Sequence, residues 1–179
     1  MSFDKLRFDP TRNLIWLGGR RIVFHCHHYN LFLQQTVSDV LQDDAKAVEV
    51  AASTEATRGL LTALLSEPSQ AAVQSFAERI DLASQLFRAL GFGLADTTGL
   101  SPEGGNVALV TSHYALGWRL KQGKAAAPIC HFATGFWIGA LCAVLQVNPE
   151  RILGTETSCG AQSGETAFDN PCRIDLEVL

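Results

Sequence analysis

The chain has 179 residues, of which 47% are hydrophobic and 18% charged, with 14 lysines and arginines against 18 aspartates and glutamates and a net charge of −4. That length and apolar content suit one domain with a real core, so residues 1–179 are expected to form a single domain. The charge balance shows no basic stripe, which excludes an obvious nucleic-acid surface.

The N-terminus, MSFDKLRFDPTRNLIWLGG, lacks the apolar segment of a signal peptide. The longest apolar run, from Phe136 to Val147, stops after about 12 residues, short of the roughly 18 of a membrane span. A cytoplasmic protein without a membrane partner is therefore expected. In that compartment disulfides are disfavoured, so Cys26, Cys130, Cys142, Cys159 and Cys172 are read as thiols or ligands.

In chain order, RNLIWLGGRRIVFHC predicts two short strands around Gly18-Gly19. From about Tyr29 the pattern turns helical, and LFLQQTVSDVLQDD and KAVEVAASTEATRGLLTALL are two helices with acids at the break between them. SQAAVQSFAERIDLASQLFRALG is the clearest helix, with Val73, Phe76, Ile80, Ala83, Phe87 and Leu90 forming one apolar stripe. FGLADTTGL and NVALVTSHYALGWRL read as strands on either side of the turn SPEGGN. KQGKAAAP is a loop, and Pro128 opens a helix running from Ile129 to about Val147. On that helix Gly135 and Gly139 share a face that permits close approach of another backbone. RILGTET and CRIDLEVL then predict two strands joined by the polar loop GAQSGETAFDNP. Helices dominate the first half and strands frame a helix in the second, which is an α+β pattern.

Four residues of the C-terminal third stand out for chemistry. Cys130 begins the last helix, Glu156 and Cys159 close the next strand, and Cys172 starts the final one. Consecutive antiparallel elements are usually neighbours, so their ends can converge. Three thiolates and a carboxylate make a plausible four-coordinate zinc set. Cys142 is set apart, because 12 residues of helix place it roughly 18 Å from Cys130. Spacing alone leaves the alternative open, namely buried free cysteines beside a solvated acid.

From about Trp118 to Leu179 the chain resembles the 4-vinyl reductase domain family. The resemblance rests on Cys130 before a helix carrying Gly135-Phe136-x-x-Gly139, then Glu156-x-x-Cys159, then Cys172-Arg173. The family includes sensor domains of aromatic-responsive transcription activators, a bacteriochlorophyll-biosynthesis protein and stand-alone hydrocarbon-binding proteins. The resemblance implies that residues 1–117 form an N-terminal helical and strand part and 118–179 the motif region. It implies a TRAPP-like fold, an antiparallel sheet packed by helices that commonly dimerises, and zinc held by Cys130, Glu156, Cys159 and Cys172. The loop before Cys172 is about five residues longer than in the family's sensors. Four protein ligands leave no place for water, so such a zinc is structural. His131, beside Cys130, is an alternative ligand for an open, catalytic site.

The stretch FHCHHYN is the other unusual feature. If the preceding strand continues, His25 and His27 share one face and Cys26 and His28 the other. If a helix has begun, His25 and His28 are neighbours. Either arrangement offers imidazoles to a second metal, a heme or a substrate carboxylate, although backbone and water can also satisfy such histidines. His113, Tyr114 and Trp118 form a smaller group. His113 and Trp118 are candidates for ligand contact, and Phe132, Phe136 and Trp137 for the lining of an apolar pocket.

The function these residues imply, through the resemblance, is a stand-alone zinc-containing protein that binds a small aromatic or hydrophobic molecule. The alternative is an enzyme or enzyme accessory acting on a tetrapyrrole-like ligand. No glycine-rich nucleotide motif is present to deliver a hydride.

Overall fold

The computed structural model describes residues 6–12, 14–17, 19–68, 73, 75–162 and 170–179. Gly18 and most of the loop 160–171 thus lie outside the described residues. The chain opens with a three-stranded antiparallel meander, β1 (Leu6–Asp9), β2 (Leu14–Leu17) and β3 (Arg20–Ile22). β2 and β3 are the strands expected around Gly18-Gly19. β1, which pairs Leu6 with Leu17, is an addition.

Two helices follow, α1 (His27–Leu41) and α2 (Ala45–Leu65), separated by a 3₁₀ turn at Gln42–Asp44 where the acids fall. The next helix, α3 (Phe76–Ala89), starts later than its apolar pattern predicts, and Val73 is not helical. Its true start is a capping box. Ser75 Oγ accepts the Glu78 N–H at 3.3 Å, and Glu78 Oε2 accepts the Ser75 N–H at 2.9 Å. The segment 69–72 of the expected helix lies outside the described residues.

The main sheet is antiparallel with order β4-β6-β8-β7. It is built from β4 (Gly93–Asp96), β6 (Gly104–Ser112), β7 (Ile152–Ser158) and β8 (Cys172–Val178), with a short β5 (Leu100–Ser101) pairing β6. The run NVALVTSHYALGWRL is not one strand. β6 ends at Ser112, whose hydroxyl accepts the Ala115 N–H at 3.3 Å and so caps α4 (His113–Gln122).

Helix α5 (His131–Leu145) is the centre of the molecule. Every residue from Ala133 to Val144 is buried, as expected for a helix that is apolar all round. On one side it lies against α2. A Cβ on Gly135 would stand 2.3 Å from the Val50 carbonyl oxygen, and one on Gly139 2.3 Å from that of Thr54. Only glycine lets these two helices approach so closely. On its other side α5 meets β7 and α3, where Phe87, Phe136 and Trp137 pack ring against ring at 4.9–5.6 Å. The architecture is α+β, an antiparallel sheet packed by helices. Among the described residues no helix is long and apolar enough to cross a membrane.

Candidate functional site

The ends of three elements meet at one buried point. Cys130 is the N-cap of α5, Cys172 opens β8, and Glu156 and Cys159 come from the end of β7. The Glu-x-x-Cys spacing has a structural cause. In a regular strand, residues three apart point to opposite faces. The β7–β8 register shifts between Glu156 and Ser158, and this bulge takes up one residue, so both Glu156 and Cys159 turn inward.

The four residues offer ligand atoms that all lie within 4.8 Å of one another, the one such group of three or more His, Cys, Asp or Glu among the described residues. Cys130 Sγ and Cys172 Sγ are 3.4 Å apart, and Cys172 Sγ and Cys159 Sγ 4.0 Å. A tetrahedral ion with sulfur bonds near 2.3 Å needs sulfur–sulfur edges of about 3.8 Å, and the observed separations bracket that value. Glu156 Oε2 accepts the Cys130 N–H at 2.8 Å, which leaves Oε1 buried and without a partner. A buried acceptor of that kind is costly unless something fills it. Outer groups steady the sulfurs, with the Gly160 N–H donating to Cys172 Sγ at 3.2 Å and Ser112 Oγ 3.2 Å from Cys130 Sγ. This donor set fits a metal ion.

Its electrostatics agree. Burial, then the adjacent Cys159, pushes the Glu156 carboxyl up to about 8. Hydrogen bonds from Cys130 and Cys159, with the Gly160 N–H, hold Cys172 down at about 4. Hydrogen bonds with Cys159 and Cys172, then burial, raise Cys130 well above the ordinary thiol range. The pocket thus concentrates negative charge on Cys172 and resists placing more on its neighbours. A divalent cation removes that resistance.

Cys142 stays apart, buried on α5 beside Arg58 on α2, with its thiol pushed up to about 11 by burial. His131 turns away from the sulfurs. Its Nδ1 lies 2.8 Å from Glu49 Oε2 and its Nε2–H donates to the Pro128 carbonyl at 3.0 Å.

A cavity of about 330 Å³ opens next to this corner. Phe92, Tyr114, Phe132 and Phe136 form its aromatic wall, Ser53 and Thr57 come from α2, and Asn30 and Leu33 from α1. The segment Val23–His25 borders it, and no Lys, Arg, Asp or Glu appears among its described lining residues. The cavity and the metal-ligand group share the first turn of α5, because Phe132 follows Cys130 by two residues. Trp137 does not line the cavity and is fully buried.

The histidine stretch is neither a continued strand nor wholly a helix. Residues 23–26 are irregular, Cys26 is the exposed N-cap of α1, and His27 and His28 are its first residues. His25 stacks on Tyr29 with ring centres 4.2 Å apart, at the cavity edge. His27 reaches across to His113, with Nδ1–Nδ1 at 3.0 Å. His28 stands edge-on to His27 at 5.5 Å, and Trp118 packs half-buried against the core with no partner for Nε1. The sequence singles out His27 and His113 but not their contact across 86 residues. Asn30 and Ser53 join the cavity without any linear motif to announce them, and of the group His113, Tyr114 and Trp118 it is Tyr114 that lines it among the described residues.

No protein-family model matches the chain, and no curated protein matches it in sequence. Its fold is that of a solved domain, the phenol-responsive sensory domain of the transcription activator PoxR, determined with phenol. The two share 19% identity at a TM-score of 0.72, over 97% of this chain and 85% of that one.

Proposed function

We propose that the protein is a small-molecule-binding, sensor-like domain of the 4-vinyl reductase type, folded as one unit around a structural zinc. The observation that carries this reading is the pairing of a closed Cys3Glu ligand set with an adjacent uncharged aromatic cavity. Cys130, Glu156, Cys159 and Cys172 would hold the zinc, and four protein ligands leave it no position for water or substrate. The ion supplies folding energy. It pins the start of α5 to β7 and β8, and so fixes Phe132 and Phe136 in the cavity wall.

The cavity volume lies at the small end of the roughly 300–1,000 Å³ typical of ligand sites, which suits a neutral molecule of one or two rings better than a tetrapyrrole. Phe136, Phe132, Tyr114 and His25 are the contacts proposed for it. The phenol in the PoxR domain supports the choice of an aromatic ligand. A cytoplasmic setting agrees with five unpaired thiols. We also propose a homodimer. The outer face of α1 leaves Tyr29, Phe32 and Val40 between 49% and 72% exposed, an apolar stripe that suits burial against a second copy.

Native mass spectrometry with elemental analysis, on protein purified from its own host, tests these statements together. One zinc per chain and a retained neutral aromatic are expected. Metal-free, ligand-free protein that is fully folded would remove the proposal, and a monomer at micromolar concentration would remove the dimer.

A further inference from the structure

The contact between His27 and His113 has no part in that function. Each is the first residue of its helix, after the N-caps Cys26 and Ser112. Their rings are perpendicular, 4.5 Å apart at the centres, with Nδ1 facing Nδ1 at 3.0 Å. Such a contact needs one N–H and one lone pair, so it exists only while at least one ring is neutral. His113 Nε2 is buried and has no partner. An unpaired buried lone pair costs less than an unpaired buried N–H, so we assign the shared proton to His113 Nδ1, donating to His27.

The surroundings all oppose a second proton. Both rings sit at helix N-termini, where the backbone dipole disfavours cations. His28 lies beside His27 on α1, and Lys121 faces it from α4. Glu49 of α2, whose charge acts on Tyr114 next to His113, is paired with His131 of α5. Burial and His27 hold His113 down at about 4, and burial with His28 and Lys121 lowers His27. The fit is tight as well, since a Cβ on Gly117 would stand 2.3 Å from Leu31 Cδ1 and 2.9 Å from His27 Cε1.

We propose that the His27–His113 pair is an acid-sensitive latch that holds the N-terminus of α1 on α4. Protonating both rings turns the two Nδ1 atoms into opposed donors, breaks the contact and frees the start of α1. That helix carries Asn30 and Leu33, and the segment before it carries Val23–His25, so release opens one wall of the cavity. The consequence for ligand release rests on reading the cavity as the ligand site. The latch itself does not.

Hydrogen exchange read by mass spectrometry on the full chain tests the latch. Between pH 6.5 and pH 4.5, corrected for intrinsic exchange, the peptide covering Val23–Leu33 is expected to exchange at least about tenfold faster. His27→Phe and His27→Gln, which cannot take the proton, should reduce that step to the part set by the burial of His113, and either variant suffices if the other fails to fold. Zinc release followed in the same titration should keep its midpoint in both variants. Equal acid opening in wild type and variants would overturn the latch, as would nitrogen NMR showing both rings titrating near 6.5. Stoichiometric copper(II) or nickel(II) binding at pH 7, lost in His27→Gln, would also overturn it and make the pair a metal site. Calorimetry with indole at pH 7 tests the cavity separately, and failure to bind would remove the link to ligand release while leaving the exchange result standing.

Discussion

The two polar corners of the molecule are built on opposite principles. In the C-terminal corner, four candidate ligands that would be anionic around a metal are buried at element ends, and backbone N–H groups reach Glu156 and Cys172. In the N-terminal corner, two neutral imidazoles meet through one shared proton, beside a helix whose outer face is apolar and exposed. The first arrangement stabilises only when a cation neutralises it. The second stabilises only while at least one of its rings stays neutral. On these proposals a metal would anchor α5, and acid release would act on α1.

The sharpest way to break this contrast is to remove a sulfur. Cys159→Ser should lose the metal and cost at least about 4 kcal/mol, or roughly 8–16 °C in melting temperature for a domain of this size. Elemental analysis and calorimetry check it, and metal loss at an unchanged melting temperature would refute the structural role. Next in size is Gly139→Ala, which should cost about 1–3 kcal/mol in chemical denaturation because the new methyl meets the Thr54 carbonyl oxygen. A neutral result would mean that α2 and α5 are not locked together.

Acid addresses the N-terminal corner. His113 is held at about 4 in the folded chain, below its ordinary 6.5. The unfolded chain therefore takes up a proton there before the folded chain does, so stability should fall as pH drops from about 6.5 to about 4 and then level off for this group. Replacing His113 with Gln should flatten that part of the pH–stability curve, and identical slopes would show that the ring is not a buried neutral group. The smallest effect is expected for Cys142→Ala, which should leave the metal content at its wild-type level. A drop would place Cys142 in the ligand set, contrary to its position along α5.

The difference between the corners also governs what the residues announce in advance. The β2–β3 hairpin, the acidic break between α1 and α2, and the start of α5 after Pro128 depend on local turn chemistry and periodicity. The Cys130, Glu156, Cys159 and Cys172 set is legible through the resemblance to the 4-vinyl reductase motif, because its place at the ends of consecutive elements alone fits free cysteines as well. Helix α4 is misread as strand, since the alternation of Val107 and Leu109 runs straight into it. The signal that ends the strand is a single serine cap, Ser112 on the Ala115 N–H. The start of α3 is placed too early, at Ser69 just after Pro68, because an apolar stripe outweighs the Ser75–Glu78 capping box in a linear reading.

Residue order by itself determined the β2–β3 hairpin, most of the helices, the α+β class and the close-packing glycines of α5, because each follows from spacing within one or two neighbouring segments, whereas the four candidate ligands are legible only through the resemblance to a known motif. Tertiary structure alone decided that a bulge turns both Glu156 and Cys159 inward, that His131 faces Glu49 rather than the sulfurs, and that His27 finds His113. These depend on how α1, α2 and α4 pack around the first turn of α5. Side chains 82 and 86 residues apart meet there, a distance along the chain over which no linear pattern carries information.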